Sequence, residues 1–496
     1  MNNRKNEWAN KIYAYLITLI LVVIAYQGFY RFGFESDTMT HYLNPLINIE
    51  SKLAYTRYIS YLVEISLYKI GYILPEHYRL SYMFFLIFTA STAFVYQETI
   101  IGKLREKRIE MDPVQEYMGR FILSLPLIST LYSEYFMFPE CFAFSIGFLF
   151  SAIAVYMYSG KRYIGAILFL LMAVFTYQAT VMLSAVYAIL FVVIDEGYAL
   201  TLRMFKRGLL TSLCCIAAGV INVITSKVVF LLGIVTDSPK ALRQESVLDK
   251  FAHILNLLKA FLVSGNGLLP IRYANLMAII AAIVLMIICH RYEKPEVVTH
   301  IFAGFIMFCL AIVIPLMQAD APRVIFVLYG ALGCFVFLSF VQLDGKTLTI
   351  MQGVILCIVL LQIFSNQQIA VNHYISNDKD ISCARAVLVA IDKYENETGI
   401  TVEEIAVCED SVSLNYFDDV YYTVGQINER VMHNVPYSLL EYVNKLDTGT
   451  TELRFRKSKV NGNKVREAYF AEKEWDSFNV YEQLIIDGNT AYWCIY

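Results

Sequence analysis

At 496 residues the chain is 57% hydrophobic and only 17% charged, well below the roughly one-quarter charged content of soluble domains. Its apolar residues come in blocks of roughly 16 to 25, the length that crosses a bilayer, so the chain is not a string of soluble domains. The net charge of -3 hides a division: residues 366–496 hold 12 Lys/Arg and 21 Asp/Glu, a balance of -9, against +6 for the rest. An acidic, water-soluble tail follows a basic membrane part, and no nucleic-acid partner is expected.

Arg4, Lys5 and Lys11 precede an apolar run over 12–30. The run is long for a signal peptide and lacks a small-x-small cleavage site, which predicts an uncleaved first span. Phe34-Glu35-Ser36-Asp37 follows where the chain leaves the bilayer, with His41 one helical turn after Asp37. Residues 55–74 place apolar side chains at helical spacing, interrupted by Arg57, Glu64 and Lys69, which predicts an interfacial helix.

Ten further spans are predicted over 79–101, 117–132, 141–158, 163–177, 179–194, 208–235, 274–290, 297–317, 324–342 and 347–365, about eleven in all. A second interfacial stretch is read at 247–263. Lys227 falls within a span and is costly there unless paired or near water; no role is assigned to it.

The tail reads as a small α/β domain, dividing the chain into 1–365 and 366–496. An amphipathic helix is predicted over 380–395 and strands over 403–408, 418–424, 452–456 and 482–486. Its hydrophobic end, Ala491 to Tyr496, is too apolar to hang free in water. Seven of the ten cysteines lie in apolar blocks, and Cys383, Cys408 and Cys494 in the tail lack CxxC spacing, so neither zinc nor a disulfide framework is indicated. There is no P-loop and no GxGxxG. Asn396-Glu397-Thr398 matches a glycosylation sequon, a weak pattern.

Lys and Arg concentrate in alternate short loops: Lys103, Arg105, Lys107, Arg108, Lys161, Arg162, Arg203, Lys206, Arg207, Arg291, Lys294 and Lys346 on the side of the N-terminus, against Arg323 on the other. The positive-inside rule then puts the N-terminus in the cytoplasm and the tail outside.

The residues suited to chemistry gather at the predicted outer face. Asp37, or Glu35, could accept a proton from an attacking hydroxyl, with His41 orienting it or joining it at a metal, although no metal is indicated. Arg57, Arg272 and Arg323 each sit at an outer span end, where a guanidinium fork matches a phosphate or simply snorkels to the interface. Arg323, in the tight Asp320-Ala321-Pro322-Arg323 loop, is the strongest of the three. Glu134, Tyr135, Phe138 and Glu140 lie at the same level and could meet sugar hydroxyls or stack on a ring. Gln178 could do so too, or make a helix-to-helix hydrogen bond.

These features resemble the bacterial serotype-converting glucosyltransferases of the GtrII-like family, among the polyprenyl-phosphate-dependent membrane glycosyltransferases of GT-C type. The resemblance covers most of the chain. It is carried by the acidic motif at Glu35 to Asp37, by Thr56-Arg57-Tyr58 (similar to the family's Gly-Arg-Trp), by Tyr177-Gln178, by Ala321-Pro322-Arg323, and by the spacing of Asp380, Ala384 and Ile391. The family commonly has two adjacent acids where this chain has Ser36-Asp37. The resemblance implies a GT-C-like fold with the active site at the outer membrane face, a donor such as undecaprenyl-phosphate-glucose, and a cell-surface glycan, O-antigen or wall polysaccharide, as acceptor; separately, no cofactor is expected and a divalent metal is not indicated. The expected reaction is an inverting transfer with Asp37 as base and Arg57 and Arg323 on the donor phosphate. A flippase or carrier of lipid-linked sugars, and a surface-polysaccharide polymerase or ligase, are the alternatives. Transporters often carry their charges at mid-membrane; here they gather at one face, which favours the enzyme.

Overall fold

The computed structural model describes residues 2–233, 246–289, 291–317, 321–409, 427, 430–450, 452–471, 473, 475 and 477–495. The predicted strand at 418–424, Asp320 and part of the 208–235 span lie outside the described residues. Seven helices among those described are long and apolar enough to cross a membrane: Trp8–Tyr30, Tyr78–Glu106, Pro139–Ser159, Leu202–Leu231, Lys294–Ala311, Pro322–Phe340 and Gly345–Thr398. Three shorter apolar helices, Tyr163–Thr176, Ala179–Asp195 and Ala274–Ile288, accompany them. The chain is an α-helical membrane protein. Contacts divide it into two compact units, residues 1–30 with 49–369, and 31–48 with 370–496.

In the first unit Ala179–Asp195 and Val327–Phe340 are the innermost helices. They are apolar all round, as enclosure requires, and every residue of the second is buried. Leu202–Leu231 is the opposite case. Leu209, Leu210, Leu213, Ile221, Ile224 and Val228 face outward, an arrangement suited to lipid rather than water. Lys227 is exposed on this helix, four residues from its end, within reach of an interface by snorkelling. Small residues let helices approach: a Cβ on Gly147 would meet Thr176 at 2.8 Å, and one on Gly333 would meet the Ile122 carbonyl at 2.6 Å.

The predicted 117–132 span is broken. Asp112 caps the Pro113–Leu123 helix through the Gln115 N–H at 2.8 Å, and Leu125–Ile128 follows as a separate turn holding Pro126, whose ring cannot continue a helix. The backbone freed by the break is satisfied from Gly345–Thr398: Gln362 accepts from the Thr130 N–H at 2.9 Å, and Asn366 donates to the Ile128 carbonyl at 2.8 Å. Broken helices inside a bilayer protein need such partners. Lys103, Lys107 and Arg207 converge on Asp195, tying three helix ends together.

The second unit contains a four-stranded sheet. β1 (Glu404–Glu409), β2 (Arg456–Lys457), β3 (Leu484–Asp487) and β4 (Thr490–Ile495) lie in the order β2-β1-β4-β3. β1 runs parallel to β2 and β4, while β3 and β4 form an antiparallel hairpin whose turn begins with Gly488 at φ +59°, the positive φ that a two-residue turn demands there. The predicted 380–395 helix is not separate: one 54-residue helix runs from Gly345 to Thr398 and stops before Gly399 at φ +71°. Residues 31–48 fold into this unit, where Phe34 and Met39 join Ala384, Val387, Leu440, Trp493 and Ile495 in one apolar core.

Candidate anion-binding site

A strained turn sets up the candidate site in the first unit. Helix Pro45–Ala54 ends, and Tyr58–Lys69 begins three residues after Tyr55. Between them Thr56 takes φ +55°, an outlying conformation for a β-branched residue. Asn222 holds it there, accepting from the Thr56 hydroxyl at 2.8 Å and donating to its carbonyl at 3.3 Å. Gln178 completes the support by donating to the Tyr55 carbonyl at 2.8 Å and to Asn222 at 3.2 Å. The side chain of Gln178 thus joins a loop and two helices.

This turn aims Arg57 into an aromatic cage. Its guanidinium lies 4.9 Å from the ring centre of Tyr177, 5.0 Å from Phe144 and 5.2 Å from Tyr55. Phe144 and Tyr177 stack on each other at 4.4 Å, and cation–π attraction to these rings helps to hold the guanidinium in place. Among the described residues the Arg57 guanidinium makes no hydrogen bond and no ion pair, and its Nε is buried without a partner.

Two more cations share the neighbourhood. Arg323 donates from its guanidinium to Glu134 at 2.7 Å and from its backbone N–H to the same carboxylate at 2.6 Å, and it lies 5.1 Å over the Phe138 ring. Glu134 is fully buried. The Tyr135 hydroxyl donates to the Arg323 carbonyl, and the buried Tyr135 ring packs edge-on to Tyr177 at 5.9 Å. Tyr177 feels the charges of Arg57, Arg323 and Glu134 together. Lys52 lies 5.4 Å over Phe144 and 3.8 Å from Glu64, and Cys141 is in the field of all three cations and of Glu140. Burial pushes the Glu64 carboxyl up to about 7, and neighbouring Lys52 and Arg57 pull the other way.

The structure therefore brings Arg57, Arg323, Glu134, Tyr135 and Gln178 into one neighbourhood. Arg323 is engaged by a carboxylate; Arg57 is not. Arg272 does not join them by any interaction: it is exposed in the turn before Ala274–Ile288 and makes no ion pair or hydrogen bond among the described residues.

Glu35, Asp37 and His41 belong to the second unit. Glu35 is turned inward, 3.2 Å from His373 and fully buried. The backbone beside it is clamped by Asn377, which accepts from the Phe34 N–H at 3.0 Å and donates to its carbonyl at 3.1 Å. Asp380, one turn further on, accepts from the Met432 N–H at 3.0 Å and lies 3.6 Å from Arg430. His373, Asn377 and Asp380 follow i, i+4, i+7 spacing, one face of a helix. Asp37 lies in the first turn of the Ser36–Leu43 helix and is exposed, whereas His41 on the same helix is buried.

No family model, curated protein or solved structure matches this chain.

Among the described residues no group of three or more His, Cys, Asp or Glu is placed to hold a metal ion. Sequence reasoning missed Lys52 as a member of the cluster and treated Glu64 only as an interruption. An acid on the apolar face of an amphipathic helix was the available signal, since such a group stays buried only with a partner. It missed His373 and Asn377 as well, because both fall in the polar stretch between the predicted 347–365 span and the predicted 380–395 helix.

Proposed function

We propose that the protein is a membrane glycosyltransferase of GT-C type that moves a sugar, glucose or a similar hexose, from a polyprenyl-phosphate donor to a cell-surface glycan. The observation that carries this reading is Arg57, a guanidinium caged by Tyr55, Phe144 and Tyr177 with no hydrogen bond to the described residues and with Arg323 nearby. A phosphate is the natural complement of such a fork. Thr56 adds support, for it stands where the resembled family has glycine and takes a positive φ that glycine adopts freely.

In this reading about eleven spans place the N-terminus in the cytoplasm and the second unit outside. The acceptor oxygen attacks the anomeric carbon, the bond from that carbon to the phosphate oxygen breaks with its electron pair leaving on the phosphate, and the acceptor's proton passes to Asp37. Arg57 and Arg323 stabilise the charge that grows on the phosphate. Exposure of Asp37 and burial of Glu35 favour Asp37 as the base.

The test uses purified protein in lipid nanodiscs with a labelled polyprenyl-phosphate glucose, measuring donor binding and transfer to a surface glycan for the wild type and Arg57→Lys. Transfer by the wild type, with both affinity and turnover reduced at least about tenfold by loss of the fork, is the expected result. Binding without transfer to any surface glycan would make the protein a carrier, and full activity of Arg57→Lys would remove the proposed phosphate site.

A further inference from the structure

The Glu64 carboxylate makes no hydrogen bond among the described residues. Its side chain is fully buried, neither oxygen has a hydrogen-bond partner among the described residues, and its one close charge is Lys52 at 3.8 Å. That is a costly arrangement for an ionised group. The cost is informative because of where the pair lies: Lys52 and Arg57 approach the same Phe144 ring, at 5.4 and 5.0 Å.

The charges facing Glu64 are few. Lys52 and Arg57 are those it feels. The Phe142–Ser159 and Tyr163–Thr176 helices, which pack against Tyr58–Lys69, contain no Asp, Glu, His, Lys or Arg. Their ionisable groups are Tyr156, Tyr158 and Tyr163, at the ends remote from the Ser60 hydroxyl's bond to the Thr176 carbonyl.

Resting on the proposed function, we infer that Lys52 is a third cation of the anion site at Arg57 and that Glu64 is its buried counter-ion, which cancels Lys52 when ionised and frees its charge when protonated. Lys52 and Glu64 are positioning residues here: they set the field in which Arg57 holds the donor phosphate. Burial already brings the Glu64 proton equilibrium near neutrality, so the change falls in an accessible pH range. A phosphodiester donor keeps one negative charge throughout that range, so any pH dependence of its binding belongs to the protein.

The experiment measures the affinity of a fluorescent short-chain prenyl-phosphate glucose for the protein in nanodiscs at pH 6 and pH 8. One unit charge uncovered several ångströms from the ligand, at an effective permittivity near 20, is worth well over tenfold in affinity, and a group half-titrated near pH 7 passes about tenfold of that between pH 8 and pH 6, so binding should be about tenfold tighter at pH 6. Glu64→Gln should bind at both pH values as the wild type does at pH 6. Lys52→Met should bind at both as the wild type does at pH 8. A wild-type affinity that is flat between pH 6 and 8, or a Glu64→Gln protein that keeps the wild-type pH dependence, overturns this inference and leaves the phosphate site standing. Absence of phosphodiester binding by the wild type at either pH overturns the site itself. Because the wild-type profile alone decides the first question, a variant that fails to fold does not protect the idea.

Discussion

Glu134→Gln tests whether the buried carboxylate holds Arg323 in place. Glu134 accepts two bonds from Arg323, at 2.6 Å from the backbone N–H and 2.7 Å from the guanidinium. The glutamine keeps the shape, but its neutral oxygen can serve only one donor and its amide nitrogen faces the other. Charge-assisted bonds of this kind are worth about 1.5–3 kcal/mol each. The Arg323 side chain is 25% exposed, so water replaces part of what is lost, and we expect a net cost of about 2–4 kcal/mol. With about 350 residues in this unit and an unfolding entropy of about 2 cal/mol/K per residue, that lowers Tm by about 3–6 °C. Thermal unfolding in nanodiscs, followed by intrinsic fluorescence, reads this directly. A double-mutant cycle with Arg323→Ala should return a coupling of at least about 1 kcal/mol. Additive effects, or an unchanged Tm for Glu134→Gln, would refute the argument that this carboxylate fixes the arginine.

Arg323→Lys keeps the charge and loses the planar fork, so turnover should fall more than donor affinity when both are measured on the same preparation; equal losses would make Arg323 a ground-state contact. Asp37→Asn should lower transfer about a hundredfold to ten-thousandfold with Tm unchanged. Glu35→Gln, beside His373 in a buried setting, should instead lower Tm, and the reverse pattern would exchange their roles. The folded-state pKa of Glu64 is raised from 4.5 to about 7, so the folded protein holds a proton that the unfolded chain releases. Stability should therefore fall as pH rises from about 4.5 through 7, by about 3 kcal/mol in total, and Glu64→Gln should abolish that part of the slope. Tm profiles from pH 5 to 8 that run parallel for the two proteins would contradict it.

Apolar blocks made the spanning helices legible, since a helix enclosed by lipid or by other helices must be apolar over its length. The predicted 79–101 span is Tyr78–Glu106 in the structure, and 163–177 is Tyr163–Thr176. The run through Gly345–Thr398 was misread at its end because Ser365, Asn366, Gln367 and Gln368 look like a membrane exit. The better signal was the absence of Gly or Pro between Gly353 and Gly399. The break at Ser124 could have been placed from Pro126, but not the supply of its missing partners by Gln362 and Asn366, more than 200 residues away. Arg57 and Arg323 were legible as cations at helix ends. That one would be tied to Glu134 and the other caged by three rings depends on packing across distant segments. The Lys52–Glu64 pair depends in turn on the Thr56 conformation, which no local propensity predicts for a β-branched residue.

The second unit draws residues 31–48 and 370–496 into one core, and this has a consequence for biosynthesis. About 320 residues must be translated between its two parts, which at about 5–20 residues per second takes roughly a quarter of a minute to a minute. Throughout that interval Phe34 and Met39 have no core to enter, and Glu35 waits for a histidine not yet made. The segment bearing Asp37 therefore acquires its final shape only after β4 has been made, and closing so long a loop is slow. A nascent chain arrested after residue 369 should leave 31–48 open to protease, and release of the full chain should close it.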